Sequence, residues 1–272
     1  MKLARKIVGN MVRGIAGAAV PYRHHCCVCN SRIARFLPYT PSGLWPFRQP
    51  AFMAAMEAVG SDIANFSCPR CESHDRERHL FLYLQATGLG ARMDGRRILH
   101  FAPETHLAEL IARCKPELYV QGDLHPVDVE TERVDLQDIQ YADESFDLVI
   151  ANHVLEHVDD DIAALREIHR VLREGGHAIL QTPYSPVLTR MFQDAGIASA
   201  HARRQAYGQD DHVRLYGRDI FERFASVGFT NLSVRHDQVL PKLDAAKYGV
   251  NPREPLFLFQ KPRGPVKAEQ SK

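Results

Sequence analysis

The 272-residue chain has 45% hydrophobic and 25% charged residues, a composition typical of a globular protein and not of a disordered one. Its 34 basic and 33 acidic residues give a net charge of +1, which excludes the strong overall positive field of many nucleic-acid-binding proteins. No apolar run reaches the roughly 20 residues that a membrane-spanning helix needs, so the chain is predicted to be soluble.

The composition along the chain predicts four segments. Residues 1–23 form a basic tail, in which Arg13 interrupts the apolar part and so disfavours a secretory signal peptide. Residues 24–84 hold five of the six cysteines and form a small loop-rich module. Residues 90–263 alternate apolar strand-like runs with amphipathic helices, and residues 264–272 form a polar tail.

Two matched C-x-x-C pairs lie in residues 24–84. Two such turns brought together place four thiolates around a zinc ion. The predicted zinc ligands are Cys26, Cys29, Cys68 and Cys71. The alternatives are a redox C-x-x-C, which normally accompanies a βαβ pattern, and ordinary buried cysteines, which need not occur in matched pairs. Cys27 is left as a spare, and the need to keep four thiols reduced predicts a cytoplasmic location.

Beyond residue 90 the pattern predicts an α/β fold. It is a Rossmann-like, doubly wound, mostly parallel seven-stranded sheet, preceded by the small cysteine-rich zinc-knuckle module. Six of its seven strands are predicted at residues 97–101, 118–120, 146–151, 177–181, 232–234 and 256–259. A helix after the third of these is predicted to begin at Asp160 or Asp161 and to end at Gly175, and a later helix covers residues 219–227.

The turn after the first strand, residues 97–106, lies where a parallel sheet binds a nucleotide-type ligand. It lacks the glycines of G-x-G-x-x-G, which disfavours a pyrophosphate and hence an NAD-dependent oxidoreductase or epimerase. S-adenosylmethionine (SAM) has no phosphate, and Ala102 with Glu104 could provide close backbone approach and a polar group. Asp123, at the end of the second strand, is placed to accept hydrogen bonds from ribose hydroxyls; a turn or helix-capping aspartate is the alternative.

Two stretches of the sheet domain are similar to a known enzyme family. Residues 135–157 read D-L-Q-D-I-Q-Y-A-D-E-S-F-D-L-V-I-A-N-H-V-L-E-H, and residues 170–176 read R-V-L-R-E-G-G. They resemble class I SAM-dependent methyltransferases of the methyltransferase type 11 group, with the patterns D-x-x-x-L-P-F-x-D-x-S-F-D-x-V, H-x-L-E-H and R-V-L-K-P-G-G. The loop L-H-F-A-P-E, the second cysteine pair and G-Q-D-D-H-V-R-L-Y-G at 208–217 look like a subset with an N-terminal zinc-ribbon-like segment.

The resemblance implies transfer of a methyl group from SAM to an acceptor, a small molecule or a glycan. It implies that the loop after the first strand holds the methionyl end, Asp123 the ribose and Asp135 the adenine amino group. The implied cofactor-binding residues are Phe101, Ala102, Glu104, Asp123, Asp135, Leu136 and Asn152. Ser145, Phe146 and Asp147 are interpreted as structural residues that fix the entry of the strand.

A sulfonium methyl group is already activated, so the enzyme mainly positions the acceptor and removes a proton from a hydroxyl, without a required metal. The candidate bases are His153, His157 and His212. The alternative role of His157 is helix packing, and that of His212 is a hydrogen bond that stabilises the lid. The long segment 182–218 is predicted to be an acceptor-binding lid, in which Arg214 and Tyr216 bind an anionic or sugar-like acceptor or form solvated surface.

A different class of function is a zinc-dependent nucleic-acid- or protein-binding module on a Rossmann-like scaffold without turnover. Arg70, Arg76 and Arg78, around the second cysteine pair, favour it. The near-zero net charge and the absence of interleaved aromatic residues disfavour it.

Overall fold

The computed structural model describes residues 22–40 and 48–264, so most of the predicted basic tail and nearly all of the polar tail lie outside the described residues. In chain order the elements are β1 (His24–Cys26), β2 (Ser31–Ile33), α1 (Ala51–Ala55), α2 (Asp75–Ala86), β3 (Arg97–Phe101), α3 (Thr105–Arg113), β4 (Leu118–Asp123), β5 (Thr131–Arg133), β6 (Phe146–Ala151), α4 (Asp161–Val171), β7 (Leu172–Ile179), α5 (Ala200–Tyr207), α6 (Ile220–Ala225), β8 (Thr230–Asn231), α7 (His236–Val239), α8 (Ala245–Tyr248) and β9 (Leu258–Gln260). None of the described helices is long and apolar enough to cross a bilayer.

The described chain divides into two compact units. The first, which we call the cysteine unit, contains residues 22–40, 48–49, 59–88 and 235–254. The second, the sheet unit, contains residues 50–58, 89–234 and 255–264. This division differs from the predicted boundaries in two segments: residues 50–58 group with the sheet unit, and residues 235–254 group with the cysteine unit.

The sheet unit is built on a seven-stranded sheet in the order β5-β4-β3-β6-β7-β9-β8. The first five strands are parallel, and β9 runs antiparallel to both β7 and β8. The predicted strands that begin at residues 97 and 146 are the neighbours β3 and β6 at its centre, where almost every residue is buried. The predicted fold class, a mostly parallel Rossmann-like sheet, is therefore confirmed.

Helix α4 begins as predicted but ends earlier. The carboxylate of Asp160 accepts two backbone hydrogen bonds of the first turn, both of 3.0 Å, and so caps the helix. The helix ends at Val171 instead of Gly175. The reason is that the next residue, Leu172, already pairs with Phe146 in the sheet, so the chain passes from helix to strand without a loop. Gly175, at φ +78°, lies inside β7.

The buried side chain of Arg78 is the centre of the cysteine unit. Its guanidinium donates to the carbonyls of Ser73 at 2.6 Å, Tyr248 at 3.0 Å and Gly249 at 2.7 Å, and it lies 3.9 Å above the ring of Phe36. These contacts join α2 to the segment around α8. A guanidinium that is buried on backbone carbonyls cannot contact a nucleic acid, so the structure removes Arg78 from the arginines that favoured that alternative.

Candidate functional site

A carboxylate, an amide and an imidazole meet at the carboxyl ends of β3 and β6. Nδ2 of Asn152 donates to Oε1 of Glu104 at 2.6 Å, and Nε2 of His100 donates to Oε2 of Glu104 at 3.2 Å. The hydroxyl of Tyr119 donates to Nδ1 of His100 at 3.0 Å, which fixes the tautomer of that ring. Oδ1 of Asn152 is buried and has no hydrogen-bond partner within the described residues. The site therefore combines a positioned carboxylate with a free acceptor oxygen.

Ala102 takes the backbone conformation that a glycine usually provides. Its φ is +46°, in the left-handed region, and its N–H donates to the carbonyl of Gly122 at 2.8 Å. The side chain is exposed, so packing does not hold it there. The loop thus retains the tight turn of a glycine-rich cofactor loop although the sequence carries alanine.

Two substitutions at Ala102 test this conformation. Glycine should leave the free energy of unfolding unchanged or raise it by up to about 1 kcal/mol, because a positive φ costs glycine nothing. Valine should lower it by about 1–3 kcal/mol, because a β-branched side chain is strained at positive φ. Urea unfolding of both variants measures the difference. Equal stabilities of the glycine and valine variants would show that φ at this residue is negative in solution.

Two further carboxylates predicted for the cofactor follow the next strands of the sheet. Asp123 ends β4, and its Oδ1 accepts the backbone N–H of His125 at 2.7 Å, the turn geometry that was the alternative role. Asp135 follows β5 and accepts the N–H of Gln137 at 2.8 Å through Oδ1. In both residues one carboxylate oxygen holds the local turn. Their cofactor roles stay predictions.

The two apolar residues predicted for the cofactor belong to the hydrophobic core. Phe101 is 2% exposed and Leu136 is 4% exposed, and both pack in the main core cluster of the sheet unit. Among the residues interpreted as structural, Phe146 is fully buried and Asp147 accepts the backbone N–H of Arg97 at 2.8 Å. These contacts agree with the structural interpretation of Phe146 and Asp147.

The three candidate bases surround a buried carboxylate, Glu156. Oε1 of Glu156 lies 3.4 Å from Nδ1 of His153 and 3.9 Å from Nε2 of His212. The rings of His157 and His212 are 4.6 Å apart and nearly perpendicular. His153 is buried at φ +59°, a conformation that is uncommon for a residue other than glycine and is frequent at functional sites. The structure brings all three predicted histidines together.

The charges of this cluster are set by burial and by the imidazoles. Burial alone would raise the pKa of Glu156, but the hydrogen bond and charge of His153, with the charges of His157 and His212, hold that pKa well below its usual range. Burial lowers the pKa of His212. Near neutral pH the cluster therefore contains an ionised carboxylate beside a neutral imidazole of His212.

Arg214 and Tyr216 do not form the solvated surface that was one of their two predicted roles, and neither side chain is accessible to an acceptor in this structure. Both side chains are buried, at 1% and 0% exposure. The guanidinium of Arg214 donates to the carbonyls of Leu155 at 2.8 Å and Asp159 at 2.7 Å, and the hydroxyl of Tyr216 donates to Asp161 at 2.9 Å. They fasten the end of segment 182–218 to the loop that follows β6.

The four predicted metal ligands form one cluster in the cysteine unit. Sγ of Cys26 lies 3.7 Å from that of Cys71, and Sγ of Cys29 lies 3.9 Å from that of Cys68. All four sulfur atoms are within 4.8 Å of one another. A zinc–sulfur distance of about 2.3 Å puts the sulfurs of a tetrahedral site about 3.8 Å apart, so the observed separations fit zinc.

The surroundings of the cysteine cluster also suit a metal. The residue that follows each pair, Asn30 or Glu72, has a positive φ, so both pairs end in the same kind of turn. The backbone N–H of Arg70 donates to Sγ of Cys68 at 3.4 Å. The hydroxyl of the buried Ser73 lies 3.2 Å from Sγ of Cys71. Such donors stabilise thiolates that bind zinc.

The sequence prediction missed two residues of the carboxyl edge. Glu156 was not among the candidate site residues, although it lies within the H-x-x-E-H stretch that supplied two of the histidines. His100 was not among the candidate site residues either. The available signal for Glu156 was its spacing: it lies three residues after His153 and directly before His157.

Residues 101–180 match the family model described as "Methyltransferase domain". This region therefore carries a methyltransferase domain, and the resemblance predicted from its motifs is confirmed. The match covers Glu104, Asp123, Asp135 and Asn152, as well as the loop with His153 and Glu156.

The curated relatives cover only part of the chain. Over 127 residues it is 25% identical to "Uncharacterized protein YafE" from Escherichia coli (strain K12), which is 47% of this chain and 56% of that protein. Over 103 residues it is 36% identical to an uncharacterized 37.1 kDa protein in transposon TN4556 from Streptomyces fradiae, 37% of this chain and 29% of that protein. The chain thus spans about half of the first relative and under a third of the second.

Among solved structures, the chain is similar to an S-adenosylmethionine-dependent methyltransferase from Mesorhizobium loti. The sequence identity is 19% and the TM-score is 0.43, with 64% of this chain and 97% of that chain covered.

Proposed function

We propose that the protein is a SAM-dependent methyltransferase that transfers the methyl group to a small molecule or a glycan. One observation carries the proposal: within the methyltransferase domain, carboxylates follow three neighbouring strands of the sheet. Glu104 follows β3, Asp123 ends β4 and Asp135 follows β5. The carboxyl edge of a parallel sheet is where such folds bind nucleotide-type ligands.

The three carboxylates suit the three polar parts of SAM. Glu104, held by Asn152 and His100, would bind the ammonium of the methionyl end, and the free Oδ1 of Asn152 would accept a further hydrogen bond. Asp123 would accept from the ribose hydroxyls and Asp135 from the adenine amino group. When bound, the sulfonium supplies an activated methyl group, so the residues of this chain need to orient the acceptor and exclude water.

The histidine cluster suits the removal of a proton from a hydroxyl acceptor. The side chains of His153, His157 and His212 lie around Glu156. His153 directly follows the proposed cofactor residue Asn152 in sequence. An imidazole near its neutral form is an effective proton acceptor around pH 7. Segment 182–218, which contributes His212, would cover the acceptor.

Calorimetric titration with SAM and with S-adenosylhomocysteine tests the cofactor proposal. The wild type should bind both at micromolar concentrations. Asp123→Ala should weaken binding at least tenfold, because hydrogen bonds to a charged group contribute about 1.5–3 kcal/mol. The matched control is Asp94→Ala, which removes an exposed carboxylate of the sheet unit and should bind as the wild type does. A folded wild type that binds neither ligand would refute the proposal.

We also propose that Cys26, Cys29, Cys68 and Cys71 bind a structural zinc ion. The sulfur–sulfur separations and the donors around them support this proposal. Zinc would join the two turns and stabilise the cysteine unit, and it would take no part in methyl transfer. Four reduced thiolates also favour a cytoplasmic location.

A further inference from the structure

Two lone-pair atoms face each other inside the sheet unit. Nε2 of His212 and Oε1 of Glu156 are 3.9 Å apart. Nε2 makes no hydrogen bond within the part of the chain that the structure describes, and Oε1 lies 3.4 Å from Nδ1 of His153. The two residues are 3% and 1% exposed. Leaving a buried nitrogen unpaired beside a carboxylate oxygen is costly, so this arrangement indicates that a bound group belongs between Nε2 and Oε1.

Neighbouring hydrogen bonds determine which atoms can bind that group. Nδ1 of His212 donates to the carbonyl of Tyr207 at 2.9 Å, which leaves the lone pair on Nε2. The hydroxyl of Thr182 donates to Oε2 of Glu156 at 2.8 Å, which leaves the lone pair of Oε1 that does not face His153. A neutral imidazole and an ionised carboxylate are the forms that bind a metal ion.

His157 supplies a third donor to the same place. One ligand atom from each of Glu156, His157 and His212 lies within 4.8 Å of the other two. Nδ1 of His157 is also 3.3 Å from Oδ2 of Asp211. Support of a histidine by a carboxylate or a backbone carbonyl is typical of metal-binding imidazoles, and here both histidines have it.

We propose that Glu156, His157 and His212 bind a divalent first-row transition-metal ion. Two imidazoles and one carboxylate suit Zn²⁺, Mn²⁺ or Fe²⁺ better than Mg²⁺ or Ca²⁺, which prefer oxygen ligands. Metal–ligand distances of about 2.1 Å put neighbouring ligand atoms roughly 3.0–3.4 Å apart, so the separation of 3.9 Å between His212 and Glu156 needs to close by about 0.5–0.9 Å.

Three protein ligands leave coordination positions open. An ion in this site would bind an oxygen atom of the acceptor and lower the pKa of its hydroxyl, with His153 left as the proton acceptor. This role rests on the proposed methyltransferase function, whereas the binding site itself does not.

The test is titration with Mn²⁺ of the full chain reconstituted with one equivalent of zinc, which the four thiolates bind in preference to the histidine site. The electron paramagnetic resonance signal of the free Mn²⁺ ion gives the binding. Mn²⁺ is the probe because it prefers oxygen and imidazole to thiolate, and so leaves the cysteine cluster alone. The wild type should show one saturable site per chain. Glu156→Gln and His212→Gln should each raise the dissociation constant at least tenfold.

Matched variants separate loss of the site from general damage. Glu174→Gln and His201→Gln change exposed residues of the sheet unit and should keep the wild-type affinity. If the buried variants do not fold, His157→Gln replaces them, because that side chain is 32% exposed. Binding of S-adenosylhomocysteine by the same samples should be retained, which distinguishes this proposal from the cofactor proposal. No saturable Mn²⁺ binding by the folded wild type, or wild-type affinity in the folded ligand variants, would overturn it.

Discussion

Cys26→Ser and Cys68→Ser are each expected to abolish the binding of about one zinc ion per chain and to unfold the cysteine unit. Structural zinc ions in small modules contribute apparent binding free energies of about 10–16 kcal/mol. The hydrophobic cluster around the two turns is small, with Cys26, Ile33, Phe36 and Cys68 as its buried members. Two of these four are ligands, so the cluster cannot keep its arrangement once a ligand is lost.

Cys27→Ser is the matched control, because Cys27 is in the same turn but outside the cluster. Its Sγ lies 3.5 Å from the carbonyl oxygen of Arg78, and burial raises the pKa of its thiol to about 12. We expect this variant to keep its zinc. Metal analysis gives the zinc content, and hydrogen exchange gives the protection of β1, β2 and α2 relative to the sheet unit. A metal-free wild type with fully protected amides in these elements would contradict the zinc proposal.

Local patterns in the sequence predicted the central strands and the start of α4, because neighbouring residues determine these features. Short apolar runs gave the central strands β3 and β6, and Asp160 gave the start of α4. The end of α4 was wrong because pairing of Leu172 with β6, a contact across the sheet, overrides the stop signal of Gly175. The packing of residues 235–254 within the cysteine unit likewise depends on Arg78, which lies about 170 residues away in sequence.

The candidate site, like the fold, was predicted only in part. The resemblance assigned the motif residues to strand ends, and the three histidines were chosen because imidazole can accept a proton near neutral pH. Their roles stay predictions. Glu156 was missed because a carboxylate in a loop is usually solvated, and only the structure shows that it is buried among imidazoles. The solvated surface predicted for Arg214 and Tyr216 was wrong for the converse reason: a polar, aromatic-containing segment suggested an exposed lid, but its partners lie 55 to 61 residues earlier in the chain.

The buried contacts of Arg214 and Tyr216 both anchor segment 182–218 and position His212. Arg214 and Tyr216 fasten it to the loop after β6, and His212 is thereby held next to Glu156. A residue that binds a ligand across two chain segments needs both segments fixed to within a fraction of an ångström. The buried guanidinium provides that restraint because its donors are planar and have fixed directions.

Arg214→Met is expected to lower the free energy of unfolding of the sheet unit by about 4 kcal/mol, because three acceptors lose a charged donor. These are the carbonyls of Leu155 and Asp159 and Oε1 of Gln193, at 2.8, 2.7 and 3.0 Å. The corresponding fall in the melting temperature is roughly 8 to 16 °C. Calorimetric or urea unfolding measures the change.

Two further variants show whether the fall in the free energy of unfolding in Arg214→Met is due to the guanidinium. Arg214→Lys keeps the charge but not the forked geometry and should recover only part of the stability. Arg190→Met removes an exposed arginine from the same segment and should stay within about 0.5 kcal/mol of the wild type. If Arg214→Met were as stable as Arg190→Met, the guanidinium would not hold the segment. Because His212 is two residues from Arg214, Arg214→Met should also weaken Mn²⁺ binding, whereas Arg190→Met should not.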